Sequence, residues 1–239
     1  MNWLPSSKSR YFFLGASLLA VVALIDGLCQ ALRGLGGFGF MVVLWACFAT
    51  AAAWLYLEPI IDRALLLRKI NDPVQTARIN RIAQEVADQF QIPCPQLCVY
   101  DDKHFDMMVV GIGKWSTIFI SVPATTIDDF ELKAILAHEY GHIRLRHAVT
   151  RIALYGCLLS LAMLSNGTNF IVLPANLFML WTMRQMEYAA DKAASEVVGV
   201  SQVTAALNHI SKGITDPPTW QTVFSTHPTF AQRINRLNK

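Results

Sequence analysis

His138-Glu139-Tyr140-Gly141-His142 sets two imidazoles and a carboxylate at the spacing of a helical metal site. Residues four apart are neighbours on a helix, so His138 and His142 reach one ion from the same face. Glu139 then lies beside the coordination position left to water, where its carboxylate takes the water's proton. In a chain with six His and six Glu, H-E-x-x-H arises by chance about 0.004 times. The stretch therefore points to a zinc peptidase, and the flanking sequence decides whether the helix it needs is there.

Upstream, Thr126 and Asp129 have capping-box spacing, and Phe130, Leu132, Ile135 and Leu136 form an apolar stripe. Downstream, Arg144, Arg146 and His147 are cations suited to a helix C-terminus. The two histidines thus fall two to three turns into a helix. A catalytic zinc takes three protein ligands and leaves the fourth position open. Glu187 and Asp191 are again four apart in a helix-prone segment that closes a long apolar stretch. Glu187 is assigned to the metal, and Asp191 to the free N–H of a ligand histidine, which it orients.

The three blocks Leu136-Ala-His-Glu-Tyr-Gly-His-Ile-Arg144, Glu187-Tyr-Ala-Ala-Asp191 and Ser225-Thr-His-Pro-Thr-Phe-Ala-Gln-Arg233 together resemble the signature of the HtpX-like membrane zinc metallopeptidases. That gluzincin family also contains the CAAX prenyl endopeptidases and the Oma-type proteases. The resemblance runs in order from about residue 74 to the C-terminus. It implies zinc on His138, His142 and Glu187, Glu139 as general base, and His227 and Arg233 lining the site from the C-terminal side. Within it His227 is placed to donate to the oxyanion, and Arg233 to pair with a carboxylate. The chain departs from the family in one place: Phe105-Asp106-Met107 stands where HtpX-like proteins tend to carry Asn-Ala.

Composition adds a membrane. The chain is 54% apolar and 15% charged, with mean hydropathy +0.37, apolar-rich and charge-poor for a soluble domain. Residues 11–32 carry one charge, Asp26, and residues 34–57 carry none. About 20 residues cross a hydrocarbon core, so both predict spans, with Lys8 and Arg10 before the first and Arg63, Arg68 and Lys69 after the second. By the positive-inside rule both ends of this hairpin face the cytoplasm. Residues 152–183 carry no charge and are broken near the middle by Ser165-Asn-Gly-Thr-Asn169. This predicts a second hairpin, at about 148–183, that crosses the bilayer or dips into it and tethers the site to the membrane.

The organisation expected is therefore an N-terminal transmembrane hairpin over 1–69 and a metallopeptidase domain over 70–239. The fold class is mainly α with a small β-sheet: integral-membrane helices plus a zincin-like domain. Helical spacing marks residues 73–91, and strand-like runs cover 96–100, 107–112 and 116–122. Met107, Met108, Val109 and Val110 are read as an edge strand that aligns an extended peptide by β-addition.

Cys29, Cys47 and Cys157 sit in apolar segments, while Cys94 and Cys98 flank a turn without further thiolate partners. In a cytoplasmic compartment all five are expected to stay thiols. The net charge of +3 comes from the membrane flanks, and no basic stripe interleaves with aromatics, which argues against a nucleic-acid partner. His104, His147 and His209 lack companion ligands and are read as structural. The function expected is a zinc endopeptidase, one Zn2+ per chain, that removes misfolded or damaged membrane proteins at a bacterial cytoplasmic membrane. A processing protease of the prenyl-endopeptidase kind and a non-catalytic zinc-bearing scaffold are the alternatives.

Overall fold

The computed structural model describes residues 73–164, 169–212 and 221–239. The hairpin expected over 1–69 lies outside the described residues. What remains is mainly helical, with one three-stranded sheet.

The first helix, α1 (Pro73–Phe90), buries Ile79, Ile82, Ala83, Val86 and Phe90 along one face, the stripe that its helical spacing predicts. Strands β1 (Gln96–Tyr100), β2 (Met107–Val110) and β3 (Thr117–Ser121) follow. Central β3 pairs parallel to β1 and antiparallel to β2. Strand β2 therefore stands at one edge, in register with β3 through Met107–Ile120 and Val110–Thr117. It is shorter than its apolar run predicts: at Gly111 the chain adopts a φ of +105°, and a Cβ there would lie 2.3 Å from the Trp115 carbonyl oxygen. Only glycine makes that turn without strain.

A short helix, α2 (Val122–Thr125), leads into the motif helix α3 (Asp129–Arg144). The expected capping pair of Thr126 and Asp129 is displaced. Asp128 is the N-cap, accepting the Glu131 backbone N–H at 2.8 Å, whereas the Thr126 hydroxyl is turned back onto the Pro123 carbonyl in the tail of α2. At its other end α3 stops at Arg144, and Arg146 takes a left-handed φ of +54°. His147 thus opens a new helix, α4 (His147–Leu164), instead of closing the old one.

The second apolar hairpin corresponds to α4 and the long α5 (Asn169–Val198), with Pro174 inside α5 near its start. Among the described residues, no helix is long and apolar enough to cross a membrane. Helices α6 (Val200–Ser211) and α7 (Phe230–Leu237) complete the domain. Thr229 caps α7 through a reciprocal box with Gln232. His209, on α6, binds Glu131 at 2.7 Å and so ties α6 to the first turn of α3.

The two unspecified positions of H-E-x-x-H do the packing. Tyr140 points away from the histidines into the core, where its hydroxyl donates to the Ala83 carbonyl at 2.9 Å and its ring stacks on Phe90. Gly141 is where α5 crosses: a Cβ built there would meet the Ala190 carbonyl oxygen at 3.1 Å and its Cα at 3.2 Å. The neighbours are backbone atoms, which do not swing aside. Gly141→Val should therefore destabilise the domain by about 1–3 kcal/mol, the usual range for overpacking. Urea melts of the metal-free protein measure this, and a wild-type midpoint would mean that α3 and α5 are not in close contact there.

Candidate metal centre

The crossing of α3 and α5 places Glu187, about one turn before Ala190, opposite His138, about one turn before Gly141, and His142, the residue after it. Both ligand histidines and Glu187 are largely withdrawn from solvent. The two Nε2 atoms stand 3.1 Å apart, and each lies 3.5 Å from a different Glu187 carboxylate oxygen. Donors held tetrahedrally about 2.0–2.1 Å from a zinc are about 3.3 Å from one another. The donor triangle has that size and that composition. Among the described residues it is the one group of His, Cys, Asp and Glu side chains placed to hold a metal ion.

The outer nitrogens are held as well. His138 Nδ1 lies 2.9 Å from Asp191 Oδ1. Asp191 in turn accepts both arms of Arg233, Nε at 2.7 Å and Nη2 at 2.6 Å. Asp191 is buried and Arg233 largely so, and such a bidentate fork fixes direction as well as charge. Removing one member would leave the other charge buried and unpaired, at a cost of about 3–5 kcal/mol. On the other ligand, His142 Nδ1 lies 2.7 Å from His147 Nδ1.

Burial pushes both Glu187 and Asp191 toward the neutral form, and their partners overcome it. His138 and His227 hold Glu187 well below the usual carboxylate range; Arg233 and then His138 lower Asp191. Burial and Arg233 disfavour charge on His138, yet Asp191 and Glu187 raise it to about 9. Two ionised carboxylates beside one guanidinium favour one further positive charge at the histidines, in a dry place where an uncompensated charge is costly. The centre is built to hold a positive charge between the histidines. His142, held low by burial and by His138, offers a neutral nitrogen of the kind that metal binding needs.

Glu139 follows the opposite course. Burial pushes it up to about 7, against the pull of His138, and Glu187 pushes it further. A backbone hydrogen bond from Val109, on β2, partly opposes the rise. The carboxylate therefore sits between the donor triangle and the sheet edge, with a proton affinity near neutrality.

A cavity of about 210 Å³ opens over these groups. Its lining combines the polar side chains of His138, Glu139, Glu187 and His227 with the apolar ones of Ile135, Val203, Leu207, Ile210 and Phe230. His227 is exposed at its mouth, with Nδ1 3.4 Å from Glu187 Oε2. Of the edge-strand residues, Met107 lines this cavity, Val109 reaches it through its N–H, and Met108 and Val110 do not line it. Phe105 and Asp106, where the chain departs from the HtpX-like pattern, also form part of the wall. Asp106 is fixed there by its carboxylate, which accepts from the Tyr100 hydroxyl at 2.5 Å, and by its backbone N–H, which donates to the Ser121 hydroxyl oxygen at 2.8 Å.

Three sequence expectations are settled by these positions. His104 and His209 stand away from the centre: the His104 backbone N–H binds Asp102, and the His209 ring binds Glu131. His147, by contrast, belongs to the centre's surroundings. Only its place five residues after His142 hints at this, and that spacing has meaning only once the helix break at Arg146 is known. Cys94 and Cys98 take no part in the metal-ion grouping of the described residues, and Cys94 Sγ lies 3.4 Å from the Tyr140 hydroxyl.

The model of peptidase family M48 matches residues 73–239. The chain is similar to a protease HtpX homolog of Neisseria meningitidis, at 24% identity over 95% of this chain and 98% of that protein. It is also similar to a protease HtpX homolog of Acaryochloris marina, at 26% identity over 94% and 92%, and to protease HtpX of Idiomarina loihiensis, at 22% over 93% and 95%. Among solved structures, the crystal structure of S. mikatae Ste24p shares the fold, with a TM-score of 0.54 and 16% identity over 93% of this chain and 67% of that one. With a His-His-Glu metal site carried on an H-E-x-x-H helix, the chain belongs to peptidase family M48 and is a zinc metallopeptidase of the gluzincin type.

Proposed function

We propose that this protein is an integral-membrane zinc endopeptidase that cleaves misfolded or damaged membrane proteins, with its catalytic domain on the cytoplasmic side of a bacterial inner membrane. The observation that carries the reading is the convergence of His138, His142 and Glu187 beside a buried, proton-accepting Glu139, on a chain similar along 93–95% of its length to proteins named protease HtpX. The bilayer is supported by the apolar runs at 11–32 and 34–57 and by exposed Val149, Tyr155, Leu173, Phe178 and Trp181 along α4 and α5. Aromatic side chains of this kind favour the membrane interface.

One zinc per chain fits the donor triangle. Bound there, zinc lowers the pKa of a water toward about 7 and polarises a carbonyl oxygen. Glu139 takes the proton of the attacking water and delivers it to the leaving amine. His227, exposed at the mouth, donates to the oxyanion that develops on attack, a kind of contact worth about 3–4 kcal/mol in other enzymes. Asp191 accepts the Nδ1 proton of His138 and thereby keeps the Nε2 lone pair facing the donor triangle. Arg233 holds Asp191 in place. Edge strand β2, which lies beside α3, offers the hydrogen-bonding row on which an extended peptide is laid.

Glu139→Gln should retain zinc and lose cleavage of a model membrane protein, whereas His138→Ala and His142→Ala should lose both. Metal analysis and a protease assay on the detergent-purified chains check this, and wild-type cleavage by Glu139→Gln would remove the general-base role. Val109→Pro or Val110→Pro should abolish proteolysis at unchanged zinc content; undiminished cleavage would dismiss β2 as the substrate edge. Casein hydrolysis should stop on chelation and return with added zinc. Persistent hydrolysis in metal-free protein would mean that the activity belongs to another site.

A further inference from the structure

We propose that His147 is a positioning residue of the metal centre: its Nδ1 accepts the Nδ1 proton of His142 and sets the tautomer and ring direction of that ligand. The inference rests on His142 being a ligand, as in the reading above, and adds the group that aims it.

The geometry carries the assignment. His142 presents Nε2 to Glu187 and to the Nε2 of His138. A ligand nitrogen must offer its lone pair, so the ring proton of neutral His142 resides on Nδ1. The atom 2.7 Å away is His147 Nδ1. It must therefore be the acceptor, with the His147 proton on Nε2. The two rings meet edge-on, with centroids 4.9 Å apart and planes at 70°, an arrangement that suits a hydrogen bond between ring nitrogens and that a parallel stack does not provide. His147 itself is buried at 6% exposure. The site thus has a matched pair of outer supports, Asp191 behind His138 and His147 behind His142.

The backbone makes the contact possible. Three consecutive features end one helix and start the next. Leu145 returns its N–H to Gly141 at 3.0 Å, Arg146 adopts the left-handed conformation, and the Arg146 carbonyl then accepts from Val149 and Thr150 to start α4. An unbroken α3 would carry residue 147 more than a full turn past His142, on a different part of the helix surface. The left-handed residue, uncommon for a non-glycine, is what returns His147 to the back of the ligand. A consequence is that the apolar helix α4 begins on a group bonded to the metal centre.

Asparagine and glutamine separate this role from simple packing. Asn places its oxygen where His Nδ1 stands, within reach of His142; Gln places it where Nε2 stands, out of reach. Zinc affinity of the full-length chain in detergent micelles, measured by competition with a chromophoric chelator, should be near wild type for His147→Asn. It should be 10–100-fold weaker for His147→Gln and for His147→Leu, the usual effect of losing a ligand's outer hydrogen bond. The cobalt-substituted proteins should show a shifted visible absorption in the Gln and Leu variants only. Equal affinities for Asn and Gln, or wild-type affinity for Leu, would overturn the proposal. His142→Ala is the control: if it alone is weak the positioning role falls, and if it too binds zinc as wild type does, the ligand assignment itself falls.

Discussion

The approach of α3 to α5 at Gly141 is the constraint on which the rest depends. With backbone against backbone at Ala190, the side chains three residues before and one residue after the contact on each helix face each other across a short gap. His138 and His142 project from one helix, Glu187 and Asp191 from the other. A wider interhelical distance would leave the carboxylate unable to complete the donor triangle. The approach is in turn secured from the far side of α3, where Tyr140 reaches the Ala83 carbonyl of α1 and stacks on Phe90. The motif helix is clamped between two packing contacts made by residues that the motif leaves unspecified.

Charge explains why the clamped geometry is worth its burial. Glu187 and Asp191 lie in the interior as carboxylates, held in that form by histidines and by Arg233. Arg233 comes from α7, the last described helix, and forks onto Asp191. The C-terminal block thereby completes a support that the α3 and α5 blocks begin. Three segments distant in the chain meet in one network, each burying a charge that would be costly alone. Glu139 is the exception. Among the described residues it forms no ion pair, and burial raises its proton affinity to about 7.

Legibility from sequence tracked how local each feature is. The zinc helix and the Glu187–Asp191 pair were readable because i,i+4 spacing alone puts side chains on one face. The strands were readable because β-branched runs end at Gly111, Gly113 and Pro123. The N-cap was not: Thr126 and Asp128 are both competent caps, and only the presence of α2 decides that Thr126 belongs to the preceding helix. His147 was not readable for a similar reason, since its contact follows from one left-handed residue that no local propensity demands of arginine. The Arg233–Asp191 fork spans 42 residues; resemblance to the family's third block brought Arg233 into the site, and the fold then supplied its partner. Where the chain departs from the family, at Phe105-Asp106, the two residues form part of the wall of the cavity over the metal centre.

The most direct test of the account is X-ray absorption at the zinc edge on the detergent-purified full-length chain, together with metal stoichiometry. The account predicts one zinc per chain with four light donors at about 2.0–2.2 Å and the scattering signature of two imidazoles. A sulfur shell at about 2.3 Å, which Cys94 or Cys98 would supply, or a zinc bound with a single imidazole, would contradict it.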